Sequence, residues 1–125
     1  MKIDIIRDSD RINIVNAYSN GAIIVGNTTF RSSLVLGATE IIDDWPPQSF
    51  PDLTPAHLEQ VLSLEPEIIL FGTGSSIQFP DEDLLMPVTS RQIGYEIMDT
   101  GAACRSYNFL VSEGRNAVAA LFMIG

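Results

Sequence analysis

The run Gly72-Thr73-Gly74-Ser75-Ser76 gathers two glycines and three hydroxyls in five positions. Glycine turns of this kind can aim successive backbone amides at an anion, with hydroxyls completing the cradle. A second polar group follows at Asp99 and Thr100, and a third at Tyr107 and Asn108. Carboxylate and hydroxyl groups at neighbouring strand ends could orient a ligand or form an acid–base pair. Gly72, Thr73, Gly74, Asp99, Thr100, Tyr107 and Asn108 therefore make up a candidate ligand cleft.

The specific chemistries fall away one by one. The turn lacks the lysine of a phosphate-binding P-loop, reads G-x-G-x-x-Ile without the third glycine of a dinucleotide fingerprint, and precedes no clear helical pattern. Ser75 and Ser76 lack the glycine frame of a hydrolase elbow, and the single histidine, His57, precedes them on another element. One cysteine, Cys104, leaves no disulfide and no cysteine-only zinc set. Asp81-Glu82-Asp83 lacks the alternate spacing, glycine and distal glutamate of a calcium loop. No catalytic residue, metal or cofactor is expected. A tight turn explains the glycines, and helix capping explains Asp99 and Thr100, more simply than catalysis does.

The elements that would position these residues are readable. Ile68–Phe71 is an unbroken apolar run between Pro66 and Gly72, the pattern of a strand buried on both faces, and is expected at the centre of the sheet. Thr54-Pro55 starts a helix carrying Leu58, Val61 and Leu62, which Glu65-Pro66 ends. A short helix is expected at Thr89–Gln92 and a strand at Gly94–Met98. Asp99-Thr100 then caps a helix over Gly101–Glu113, with Gly114 closing it. Ala103, Tyr107, Leu110 and Val111 form its apolar stripe, with Arg105, Asn108 and Ser112 opposite and Cys104 at the border. The chain from Arg115 or Asn116 to Ile124 reads as another apolar strand. Parallel strands arranged this way would set Asp99 and Thr100 beside Gly72–Gly74, where α/β sheets bind ligands.

The first third reads as a β-meander. Ile3, Ile5 and Ile6 suggest a short strand. Further strands are expected at Arg11–Tyr18, Ala22–Val25, Thr28–Phe30, Ser33–Leu36 and Thr39–Ile42, with a hairpin turn at Asn20-Gly21. Asp43-Asp44-Trp45-Pro46-Pro47 stops the meander. Trp45 is expected to pack over a core edge and direct the chain across the sheet; with Phe50, in the irregular stretch that continues, it is also a candidate partner-binding residue.

The chain has 125 residues, enough for one domain over 1–125, with 46% hydrophobic and 18% charged residues. Its net charge is −9, with one lysine and scattered arginines, which argues against nucleic acid. No run approaches the roughly 20 apolar residues of a membrane helix, and the N-terminus lacks a signal-peptide core. Cytoplasmic placement without direct membrane insertion is expected, and homodimerisation is left open.

The motifs together resemble a known family. Gly21-Ala22-Ile23-Ile24-Val25-Gly26, Ser33-Leu34-Val35-Leu36 with Trp45, and Pro66 to Gly74 occur in order, followed by Glu96-Ile97-Met98-Asp99-Thr100, Ala103-Cys104, Tyr107-Asn108-Phe109-Leu110, Glu113-Gly114-Arg115 and Ala119-Ala120-Leu121. Their number, order and spacing are similar to the DUF498-type family, which includes the mitochondrial respiratory complex I assembly factor 3 and bacterial and archaeal relatives. The resemblance implies a three-layer α/β fold with a central mixed, mostly parallel sheet, one strand antiparallel, and an N-terminal hairpin addition. It also implies a protein-binding role in assembling complex I, with protein partners and no established catalytic residues. The chain carries no mitochondrial presequence pattern, so a prokaryotic member is expected, peripheral to the inner membrane through its partners.

Overall fold

Residues 12–125 are described by a computed structural model, and the strand expected at Ile3–Ile6 lies outside them. The chain enters as β1 (Val15–Ser19), turns at Asn20-Gly21 and returns as β2 (Ala22–Val25). Gly21 adopts φ of 72°, which its lack of a Cβ allows without strain. β3 (Thr28–Phe30) pairs with the far side of β2, completing a separate antiparallel sheet in the order β1-β2-β3.

The expected meander ends there. β4 (Leu34–Leu36) and β5 (Ile41–Ile42) belong to the second sheet, not the first. Leu34, Val35 and Leu36 are all buried, so this strand needs cover on both faces, which only the larger sheet supplies. A short 3₁₀ turn at Phe50–Asp52 precedes α1 (Pro55–Leu62). Thr54 caps α1 in both directions: His57 N donates to its side chain, and its own N donates to His57 Nδ1 at 3.0 Å. His57 thus serves as the reciprocal cap of the helix's first turn.

β6 (Ile68–Gly72) follows, then a 3₁₀ turn at Glu82–Leu85 running into α2 (Met86–Thr89). This helix lies three residues earlier than the expected Thr89–Gln92, because Pro87 is accommodated in its first turn and Gln92 takes φ of 57° to end it. β7 (Gly94–Met98), α3 (Thr100–Ser112) and β8 (Ala117–Leu121) complete the chain. Asp99 caps α3 by accepting from Ala102 N at 2.9 Å, and Gly114 follows it with φ of 79°.

The larger sheet has the order β5-β4-β8-β6-β7. β6 pairs in parallel with both β7 and β8, while β4 runs antiparallel to β8 and to β5. One strand, β4, therefore opposes the rest, as the family resemblance implied. The centre belongs to β8 and not to β6. β8 reads Ala-Val-Ala-Ala-Leu and is buried at every position; small side chains suit the place where layers press from both sides.

The step from β6 to β7 moves outward and the step from β7 to β8 moves back across β6. Crossovers of one hand that travel in opposite directions land on opposite faces. Accordingly Val35, Ile69, Phe71, Val118, Ala120 and Phe122 pack beneath α1 and α2 with Trp45 and Phe50. Leu34, Leu36, Leu70, Ala117, Ala119 and Leu121 pack beneath α3 and the small sheet. The result is three layers, with the larger sheet in the middle.

Candidate functional site

The glycine turn and the start of α3 do come together. Thr73 N donates to Met98 O at 2.9 Å and Thr100 N donates to Gly74 O at 2.9 Å. Thr100 Oγ1 accepts from Gly74 N at 2.8 Å and donates to Phe122 O at 2.6 Å. The adjacency expected for Gly72–Gly74, Asp99 and Thr100 is therefore present, and it includes the end of β8.

The same bonds define what these groups do. Thr73 Oγ1 donates to Ser76 O at 2.7 Å and accepts from Gln78 N at 3.1 Å, while Gln78 Nε2 donates to Thr73 O at 3.1 Å. Asp99 is engaged at the helix cap. Gly72 is needed for packing: a Cβ there would meet Thr100 Cα at 2.9 Å and Leu121 Cδ2 at 3.0 Å. Gly74 has φ of 106°, a conformation other residues rarely adopt. Thr73 and Thr100 are fully buried hydroxyls with internal partners. Their arrangement locks β6, β8 and α3 to one another.

A shallow hollow of about 370 Å³ does lie beside this lock, lined by Ser49, Phe50, Thr73, Gly74, Ser75 and Gln78 together with the chain end at Met123–Gly125. It sits where a doubly covered sheet commonly binds ligands, beyond the carboxyl ends of adjacent strands. Ser75 Oγ accepts from Gly125 N at 2.8 Å across it.

Tyr107 and Asn108, expected in the cleft, are elsewhere. Tyr107 is buried under the small sheet, and its hydroxyl donates to Asn13 O at 2.7 Å. Asn108 Oδ1 accepts from Val15 N and its Nδ2 donates to Val15 O, both at 2.8 Å. One side chain thereby imitates a strand partner and fastens β1 to α3. The sequence reading put Asn108 on the solvent face of α3; a second sheet covers that flank. Tyr18 completes the clamp, packing over Gly101 and accepting from Arg105 Nη1.

Trp45 and Phe50 are likewise not surface residues. They are 2% and 5% exposed, and both pack against Phe122, at ring-centroid distances of 5.2 and 5.8 Å. Trp45 Nε1 donates to His57 O at 3.3 Å, and Ser33 Oγ donates to Pro47 O, so the double-proline strap is tied across the core. Burial also pushes the Cys104 thiol up to about 12 and raises the Tyr107 phenol. Among the described residues there is no group of three or more His, Cys, Asp or Glu side chains placed to hold a metal.

Ile12, Ile14 and Ile77 are exposed, and the most exposed apolar side chains stand around β7. Phe79, Phe109 and Met86 are 74%, 63% and 57% exposed, and Tyr95 is 39% exposed. A signal for this existed in the sequence. Phe109 stands one turn after Arg105 and one before Ser112, an aromatic on the polar side of its helix, and Phe79 interrupts a polar, proline-containing segment.

Residues 15–122 match the family described as a protein of unknown function, DUF498/DUF598. The chain is 34% identical over 110 residues to the mouse (Mus musculus) NADH dehydrogenase [ubiquinone] 1 alpha subcomplex assembly factor 3, covering 86% of this chain and 58% of that protein. The chain thus spans little more than half of that relative. It is 30% identical over 105 residues to the 13 kDa major membrane protein of Francisella tularensis, covering 79% of this chain and 81% of the other. A crystal structure of a Bordetella parapertussis protein superposes with a TM-score of 0.85 at 35% identity, covering 90% of this chain and 97% of that one. Among the described residues no helix is long and apolar enough to cross a membrane.

Proposed function

The chain belongs to the DUF498/DUF598 family, and from that premise we propose that it is a non-enzymatic, protein-binding domain that assists assembly of respiratory complex I (NADH:ubiquinone oxidoreductase). The observation that carries this reading is the 34% identity to a named assembly factor over 86% of the chain. The site geometry supports it: the polar groups at the head of the sheet are engaged in holding strands together, while large apolar side chains stand exposed around β7. In this reading the partners are complex I subunits or other assembly factors. The chain works from the cytoplasmic side, held at the membrane by those partners. Affinity capture of the tagged chain in its own host should recover complex I subunits, and deletion should lower the assembled enzyme on native gels. Full assembly and activity after deletion would overturn the proposal.

The hollow beside Gly72–Gly74 favours a second reading, a small-molecule site using the exposed Ser75 and Ser76 with Thr73 and Gln78. A ligand that binds only the folded chain raises its melting temperature. A metabolite screen rich in anions and nucleotides that produces no shift removes this reading.

A further inference from the structure

Among the described residues β7 is the outer strand of the larger sheet, hydrogen-bonded on one side only, to β6. Gly94 N donates to Glu67 O at 3.3 Å, and Met98 O accepts from Thr73 N at 2.9 Å. Gly94 and Met98 therefore turn their main-chain groups toward β6. Alternate residues of a strand point their N–H and C=O to opposite sides, so Glu96 does the same, and Tyr95 and Ile97 present theirs outward. An open edge of this length is a template for another strand, and proteins that need to avoid pairing cover or charge it.

Here each flank of the edge holds a hollow with large apolar side chains in its lining. On the face of Tyr95 and Ile97, a hollow of about 660 Å³ is lined by Phe79, Leu85 and Met86, with Asp81 and Glu82 at its rim. On the face of Glu96 and Met98, a second hollow of about 510 Å³ is lined by Ile68, Leu70, Phe109 and Leu110, with Arg105 nearby. A strand added to β7 would place alternate side chains into each hollow, which is the recognition mode of β-augmentation.

Charge identifies the occupant. The charged residues lining the first hollow, Asp81, Glu82 and Glu96, are all acidic. The second is lined by Glu96 and by Arg105, whose guanidinium is engaged with the Tyr18 hydroxyl, and Glu96 is in neither of the two ion pairs among the described residues. A second copy fits poorly. In the antiparallel register that lets Tyr95 and Ile97 exchange bonds with Ile97 and Tyr95 of the copy, Glu96 faces its own counterpart. That position is a non-hydrogen-bonded pair with Cα atoms about 4.5 Å apart, where like charges repel. Shifting by two residues relieves the repulsion but shortens the ladder.

We propose that the β7 edge receives an extended strand from another protein, with apolar side chains entering the Phe79–Met86 hollow and a lysine or arginine facing Glu96. This rests on the protein-binding reading above and names its surface and the chemistry of its partner. The probes are two synthetic peptides of alternating valine and charged residues, one with lysines and one with glutamates, followed by NMR amide exchange. The lysine peptide should slow exchange at Tyr95 and Ile97 and bind roughly tenfold tighter than the glutamate peptide. In Glu96→Lys, whose folding is checked by its melting curve, the preference should reverse.

Protection elsewhere, no protection, or an unchanged preference in Glu96→Lys would overturn the proposal. So would dimerisation of the chain alone with Tyr95 and Ile97 already protected. Loss of complex I on deletion, together with failure of the peptides, would refute this surface and leave the assembly role standing.

Discussion

Thr100→Val isolates the lock at the head of the sheet. Thr100 is the first residue of α3 and completely buried, and its hydroxyl bonds Gly74 N and Phe122 O at 2.8 and 2.6 Å. Valine preserves the shape and deletes the hydroxyl, leaving one buried N–H and one buried C=O without that partner. Each such group costs about 1–3 kcal/mol, so the variant should lose about 3–4 kcal/mol. That is a large fraction of the roughly 5–15 kcal/mol that holds a domain folded.

Urea unfolding followed by the fluorescence of buried Trp45 is the assay. With a slope of about 1.5–2 kcal/mol per molar, the midpoint should fall by about 2 M. Thr100→Ser keeps the hydroxyl and removes one methyl, worth about 1 kcal/mol, and should fall by roughly a quarter as much. A valine variant as stable as the serine variant would refute the reasoning, because the hydroxyl would then contribute nothing to the fold.

Asn108→Ala should release β1 without loosening the larger sheet. Losing both bonds to Val15 should speed amide exchange in Ala22–Val25 roughly tenfold while β6 and β8 keep their protection; equal acceleration everywhere would show that the small sheet does not open as its own unit. Alkaline stability should report the buried Cys104. The native thiol, pushed up to about 12, keeps its proton above pH ~8.5 where the unfolded thiol loses it. The unfolded chain then binds fewer protons, so stability present below pH ~8.5 declines as pH rises toward 12, by at most about 1.4 kcal/mol per unit. Tyr107, also raised by burial, adds to the decline above pH ~10. Cys104→Ala should flatten the part between pH 9 and 10; an unchanged slope there would remove the thiol from the account.

Local chemistry was legible in the residues. Asn20-Gly21 specifies a hairpin because both residues tolerate positive φ. Thr54-Pro55 and Asp99-Thr100 specify helix starts because the side chains of Thr54 and Asp99 accept from first-turn amides. The apolar run Ile68–Phe71 followed by Gly72 specifies a covered strand, and two strand–turn units bring Gly74 beside Thr100 when their strands are parallel neighbours. These are short-range consequences of turn geometry, capping and periodicity, and the sequence by itself determined them.

Strand order decided the rest. Whether Leu34–Leu36 joins the hairpin or the larger sheet depends on which surface can cover it, and β8 lies eighty residues further on. Trp45 and Phe50 are equally apolar on a surface or in a core; Phe122, brought in by the last strand, buries them. Asn108 looked like a solvated helix residue until the small sheet folded over that side of α3. The open edge of β7, with apolar hollows on both flanks, exists because β6 and β8 occupy the interior and leave β7 outermost. No property of Gly94–Met98 alone specifies an edge, since exposure of a strand's main chain is set by its neighbours, and neighbours are chosen by the tertiary fold.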